Sequence, residues 1–185
     1  MSMKENLTQA LSALERLKQG NNEYLKADKC AGDVSLEKRQ DTYENGQHPY
    51  AVVVSCADSR VIPEAIFSCG IGEIFVIRVA GNVVGNFELG SIEYAVEHLG
   101  CRLVLVMGHT GCGAVNAALS ANHGLVAHIT DEISRAIGDE RDTTKASWLN
   151  VKQSVNKVKE QIKADGLVVI GALYHTESGA VEFEE

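Results

Sequence analysis

Proline is scarce in this chain: two residues in 185, at positions 49 and 63. No linker, low-complexity segment or internal repeat divides the sequence. Basic charge is also short, with 17 Lys and Arg against 25 Asp and Glu, a formal net charge of −8. That balance argues against nucleic-acid or anionic-membrane partners, which need basic patches. No apolar run approaches the ~20 residues of a membrane span. The first residues, Met1 to Asn6, lead into an amphipathic segment rather than the apolar core of a signal peptide. A soluble, cytoplasmic protein is the expectation. The five cysteines do not suit a disulfide framework, which favours even pairs in a smaller, loop-rich chain. Cys30, Cys69 and Cys101 stand alone and read as free thiols of a reducing compartment. The remaining composition is 45% hydrophobic and 23% charged, ordinary for a soluble globular protein. The length suits one domain with a real core.

The hydropathy pattern alternates between strands and helices. Leu7, Ala10, Leu11, Leu14 and Leu17 recur at helical spacing, predicting an N-terminal helix that stops near Gly20. Residues 28–49 read as a second short helix plus loop. Ala51 to Ser55 is a continuous β-branched run, as expected of a strand covered on both faces. A short helix follows Pro63. Further strands are expected over 73–78, 102–107 and 167–173. Helices are expected over 89–99, 113–121 and 124–139, and over 148–163 with Val151, Val155, Val158 and Ile162 on one face. Asp139 to Asp142 reads as a charged turn between the last two. The pattern predicts an α/β fold: a central, mainly parallel four-stranded sheet flanked by helices. An N-terminal helical arm (1–34) precedes a single α/β domain (35–185), and residues 180–183 form a short C-terminal edge strand.

Two motifs carry chemistry. Cys56-Ala-Asp-Ser-Arg60 follows the first strand, and His109-Thr-Gly-Cys112-Gly113 follows the third. Ligands of parallel α/β sheets bind at the carboxyl ends of strands, so neighbouring strand ends can unite the two motifs. Two thiolates and one imidazole suit zinc, and three protein ligands leave a tetrahedral ion one open position. His109 and Cys112 read as a chelating pair on a turn. Cys112 reads as the start of a helix, whose positive end favours a thiolate. Asp58 can orient an ionising water, with Arg60 holding it charged through a bidentate pair. An extended segment would put residues 56, 58 and 60 on one face. Direct ligation by Asp58 is the alternative, and it would close the site.

At these residues the chain resembles a β-class carbonic anhydrase. The likeness extends from the Cys-x-Asp-Ser-Arg motif to Gly72–Arg78, Ala80-Gly-Asn82, Ser91–Val96, Gly108–Val115 and Gly171–Phe183, in order over roughly 35–185. The resemblance implies reversible hydration of carbon dioxide to bicarbonate and a proton, with one zinc per subunit on Cys56, His109 and Cys112. Asp58 and Arg60 are then the orienting pair. Gln47 matches a bicarbonate-holding glutamine of the plant-like branch. Phe75 and Tyr94 match apolar lining positions that the family supplies partly across a dimer interface. Ala80 joins them in the apolar pocket, and Gly113 lies beside the metal. Val53 stands where a second branch has a tryptophan of an inhibitory bicarbonate site, which favours the plant-like branch. The resemblance also implies a homodimer or multiple of dimers, with the N-terminal helix lying on a neighbouring subunit.

Three departures stand out: Val79 in place of a usual asparagine, a short link before the last parallel strand, and His175 where aspartate is common. The alternatives are hydrolysis of carbonyl sulfide or carbon disulfide on the same zinc site, and a non-catalytic zinc-binding or redox-sensing protein. A dinucleotide loop at Gly108–Gly113 has the wrong spacing. His123 and His128 are a minor candidate for a second metal site, and His98 and His175 for proton relay.

Overall fold

The computed structural model describes residues 2–27, 32–120 and 123–184; Cys30 lies outside them. Five strands form one sheet in the order β2-β1-β3-β4-β5. These are β1 (Ala51–Ser55), β2 (Ile74–Arg78), β3 (Leu103–His109), β4 (Val168–Tyr174) and β5 (Val181–Phe183). The first four are parallel, and β5 runs antiparallel to β4 as the edge. The expected four-stranded sheet with a short edge strand is therefore present.

Period-two alternation feeds two cores. Ala51 and Val53 of β1 with Leu103, Leu105 and Met107 of β3 pack under α1 (Met3–Tyr24) and α3 (Pro63–Ile66). Val52, Val54, Val104 and Val106 face α4 (Asn86–Glu97) and α7 (Thr143–Gln161). Val53 is fully buried between Val76 and Leu105 in register. A third cluster lies at the carboxyl end of the sheet. It joins Cys56 and Cys112 to Val115 and Ala118 of α5 (Gly113–Ala118), Ile133 and Ile137 of α6 (Ala127–Ile137), and Ala146 of α7. A short helix, α2 (Leu36–Asn45), is capped by Ser35 and buries none of its residues.

Helix α1 departs from expectation two ways. It runs through Gly20 to Tyr24 rather than stopping there. A Cβ at Gly20 would lie 2.0 Å from the Phe67 carbonyl oxygen, so this glycine permits close approach to α3. The buried face is Asn6, Ala10, Ala13, Leu17, Gly20 and Asn21, whereas Leu7 and Leu11 are exposed. The helix packs on this chain's own sheet, with its Leu7 and Leu11 face left to solvent. Asn6 donates to the Asp165 carbonyl, and Asn21 donates to the Ile66 and Gly179 carbonyls while accepting from the Val181 amide. These polar groups lock the helix to loops on both sides of β4.

Other boundaries shift modestly. Helix α7 begins at Thr143 because Asp142 accepts from the amides of Thr144 and Lys145, making the predicted charged turn a helix cap. Its Val151, Val155 and Val158 are buried as expected. Helix α4 begins at Asn86, three residues early, where Glu88 accepts from the Gly85 amide. Among the described residues, no helix is long and apolar enough to cross a membrane.

Candidate metal centre

Strands β1 and β3 are neighbours in register, Ser55 opposite Met107. Their carboxyl ends therefore deliver Cys56 and His109 to the same place. His109 is the last residue of β3 rather than part of a turn, so a seven-residue strand fixes its backbone. Cys112 is the N-cap of α5. The ligand atoms of Cys56, His109 and Cys112 all lie within 4.8 Å of one another, and all three residues are buried. Among the described residues this is the group of His, Cys, Asp and Glu side chains able to hold a metal ion. The exposed His123 and His128 take no part.

The donor set fits a dication. The two sulfurs are 4.0 Å apart. The Cys56 thiol is held well below its ordinary range, first by the hydrogen bond from Cys112, then by His109 and the amides of Asp58 and Gly81. Cys112 is pushed up, because it supplies the shared proton and is buried. The helix start beneath Cys112 loses to this pairing: two buried thiolates at that distance need a cation between them. On His109, Nδ1 faces the Thr110 carbonyl at 3.0 Å. Nε2 is buried and makes no hydrogen bond of ordinary length. An Nδ1–H donor leaves the Nε2 lone pair free for a metal.

Asp58 stands beside the cluster and outside it. Its Oδ1 accepts from the Arg60 amide and Nε, both at 3.0 Å, and its Oδ2 accepts from Arg60 Nη2 at 2.8 Å. These bonds hold the carboxyl well below the usual carboxylate range. Oδ2 lies 3.9 Å from His109 Nε2. The pairing comes from a tight turn that closes Arg60 back onto Asp58, not from the alternation of an extended segment. Arg60 also donates to the Gly111 carbonyl at 3.2 Å, tying the two motifs together. Arg78 pins the segment from below, donating to the carbonyls of Cys56 and Asp58.

Ala80 belongs to a 3-10 turn, Ala80–Asn82, whose Gly81 amide donates to Cys56 Sγ at 3.2 Å. Gly113 is exposed at the start of α5, next to Cys112. The remaining predicted residues are elsewhere. Gln47 is exposed before the amino end of β1, with the whole strand, at ~3.3 Å per residue, between it and Cys56. Phe75 sits opposite Val52 and packs on Tyr94 at 6.3 Å between ring centres. Tyr94 is 47% exposed and touches His98 at 5.2 Å. His175 is engaged by Glu182 at 3.2 Å. The departing Val79 knots the turn: its carbonyl accepts from the amides of Ala57 and Asn82. Sequence reasoning missed the role of Gly81 and Arg78; their adjacency to the second strand's end was the available signal.

A parallel α/β sheet with a Cys2His cluster at adjoining strand ends defines a metal-centre class. The carbonic anhydrase family matches residues 51–181. A carbonic anhydrase of Mycolicibacterium smegmatis is 35% identical over 93% of this chain and 92% of its own length. Among solved structures, the β-carbonic anhydrase CafA of Aspergillus fumigatus superposes with a TM-score of 0.70 at 26% identity, covering 80% of this chain and 86% of that one. A tetrameric β-carbonic anhydrase of Sordaria macrospora gives 0.66 at 25% identity, over 80% of this chain and 90% of its own. The chain belongs to the β-carbonic anhydrase family of enzymes.

Proposed function

We propose that this chain catalyses the reversible hydration of carbon dioxide to bicarbonate and a proton, with one zinc ion held by Cys56, His109 and Cys112. The observation that carries the reading is the buried Cys2His cluster beside an Asp58 held back by Arg60. Zinc bound there supplies a Lewis acid that brings the pKa of water toward neutrality.

The protein's own groups do the rest. Cys56 and Cys112 offset the dication's charge. The Thr110 carbonyl fixes the His109 ring in the tautomer that presents Nε2. Asp58, ionised and confined to one rotamer by Arg60, accepts a hydrogen bond from the attacking water and aims its lone pair at the carbon of carbon dioxide. With both carboxylate oxygens engaged by Arg60, Asp58 would serve the water rather than act as a further metal donor. Ala80 borders the pocket, and the backbone at Gly113 steadies bicarbonate.

Gln47, Phe75 and Tyr94 complete the pocket from a second copy of the chain, in the manner of the plant-like branch. Their distance from Cys56 within one chain supports this, as does the half-buried apolar edge of β2. The proposed assembly is a homodimer or a multiple of dimers; the Sordaria relative is tetrameric. Buried, unpaired Cys69 and Cys101 suit a cytoplasmic location.

Metal analysis with stopped-flow hydration of carbon dioxide, alongside carbonyl sulfide turnover, tests the reading. One zinc per chain and fast hydration, both lost in Cys56→Ser, are expected. Zinc without hydration, or carbonyl sulfide turnover alone, overturns it.

A further inference from the structure

Helix α7 carries two buried polar residues one turn apart, Asn150 at 2% and Ser154 at 4% exposure. Neither lies in a motif that marks the metal centre. Asn150 Nδ2 donates to the Gly81 carbonyl at 2.6 Å. Ser154 Oγ donates to the Asn82 carbonyl at 3.2 Å. Their spacing of four puts both on one helix face, aimed at successive carbonyls of a single turn.

That turn is strained. Gly81 has φ +68° and Asn82 has φ +46°, so two consecutive residues occupy the left-handed region. A non-glycine residue persists there only where its surroundings over-determine it. Gly81 has no space for a side chain, since a Cβ would lie 2.7 Å from Ile133 Cδ1 and 3.0 Å from Ala114 Cβ. Asn82 is buried at 2% exposure with its Nδ2 unpartnered, and asparagine is among the few non-glycine residues that visit this region readily. The product of the strained geometry is the Gly81 N–H pointed at Cys56 Sγ.

The helix reaches the turn because two strands give way to it. A Cβ on Gly108 of β3 or Gly171 of β4 would lie 2.7 or 2.8 Å from the Val151 methyls. Val151 therefore seats directly on the sheet and brings its neighbour Asn150 to the turn.

We propose that Asn150 and Ser154 are positioning residues for Cys56: they hold the Gly81-Asn82 turn left-handed so that its amide donates to the sulfur. An N–H···S bond stabilises the thiolate and fixes its lone pairs, so the pair acts on the metal through Cys56. The inference rests on the reading of Cys56 as a metal ligand. It adds that α7, nearly a hundred residues on in sequence, sets the sulfur's hydrogen bonding.

The test compares the zinc-loaded wild type with Asn150→Ala, Ser154→Ala, Ser154→Thr and, as a control on the same helix, Val155→Ala. Val155 is equally buried but packs in the apolar core. Two quantities are measured: zinc transfer to a chromophoric chelator, and amide exchange of Gly81 by NMR with and without zinc, each referred to global stability from urea unfolding. Zinc loss about tenfold faster is expected in Asn150→Ala and Ser154→Ala, the usual scale for losing an outer partner of a ligand. Faster Gly81 exchange should accompany it, with Ser154→Thr and Val155→Ala near wild type. If both alanine variants at 150 and 154 match wild type, or Val155→Ala moves the two readouts equally, the proposal is overturned. Should Asn150→Ala not fold, the Ser154→Ala and Ser154→Thr pair decides alone. A wild type that binds no zinc would remove the metal reading, while Gly81 exchange would still decide what the helix does.

Discussion

Arg60 holds Asp58 through two side-chain bonds of 3.0 and 2.8 Å, and the Arg60 backbone amide adds a third at 3.0 Å. The guanidinium fork matches both carboxylate oxygens, so charge and rotamer are set together. Asp58→Asn should keep zinc and fold normally, yet lose about a hundredfold or more of the hydration rate, the scale of a lost proton-handling group. Arg60→Lys keeps the charge but not the fork. It should fall between wild type and Asp58→Asn in kcat with zinc retained. Full activity in Asp58→Asn would remove Asp58 from the reaction.

Removing a donor of the cluster should release the metal. Cys56→Ser and His109→Ala are expected to purify with well under one zinc per chain and negligible hydration. Arg78→Ala is the informative contrast. It loses only the bonds that pin the Cys56 and Asp58 carbonyls, so zinc content should hold while turnover drops. Atomic absorption on the same preparations used for kinetics checks all three.

If a second copy completes the pocket, defects on opposite sides of it should complement. Mixed Gln47→Ala and Asp58→Asn subunits, exchanged by mild denaturation, should regain activity that neither parent has. The mixed dimer then holds one site with both groups intact. A pocket built within one chain gives no recovery, and stopped-flow assays of the mixture distinguish the two.

Alkaline pH should destabilise the fold through two thiols away from the metal. Burial pushes Cys69 up to about 11 and Cys101 up to about 11. Both folded values are raised above the unfolded one. The folded state therefore holds protons that the unfolded chain releases, and stability present below about pH 8.5 declines as pH rises toward 11. Each thiol accounts for on the order of 1–3 kcal/mol over that window. Urea unfolding between pH 8 and 11 should show the decline, with a shallower slope in Cys101→Ala.

Gly20→Ala tests the seat of α1. The added Cβ meets backbone at Phe67, which cannot swing aside as a side chain would. A loss of about 1–3 kcal/mol is expected, read as a lower urea midpoint with unchanged zinc content. An unchanged midpoint would mean that α1 does not dock on its own sheet in solution.

The residue pattern alone determined much of this protein. The β-branched run of Ala51–Ser55 and the valine face of α7 read correctly because burial on a sheet or a helix imposes a period that composition must obey. The clustering of Cys56, His109 and Cys112 was legible because few side chains make a metal-donor set and the two motifs follow strands that a parallel sheet makes neighbours. Other features were not local and stayed hidden. Leu7 and Leu11 looked like a packing stripe, yet Asn6 and Asn21 anchor α1 through polar bonds to distant loops. Gly20 looked like a stop because close approach to Phe67 leaves no mark in sequence. Asp58 and Arg60 meet through a turn, which two residues of spacing do not distinguish from extended chain. Only the tertiary structure put Gly81 against Cys56, held Asn150 and Ser154 over that turn, and parted Gln47, Phe75 and Tyr94 from the metal centre. Such relationships depend on packing distances between segments far apart in the chain, and hydropathy and spacing report only on neighbours along it.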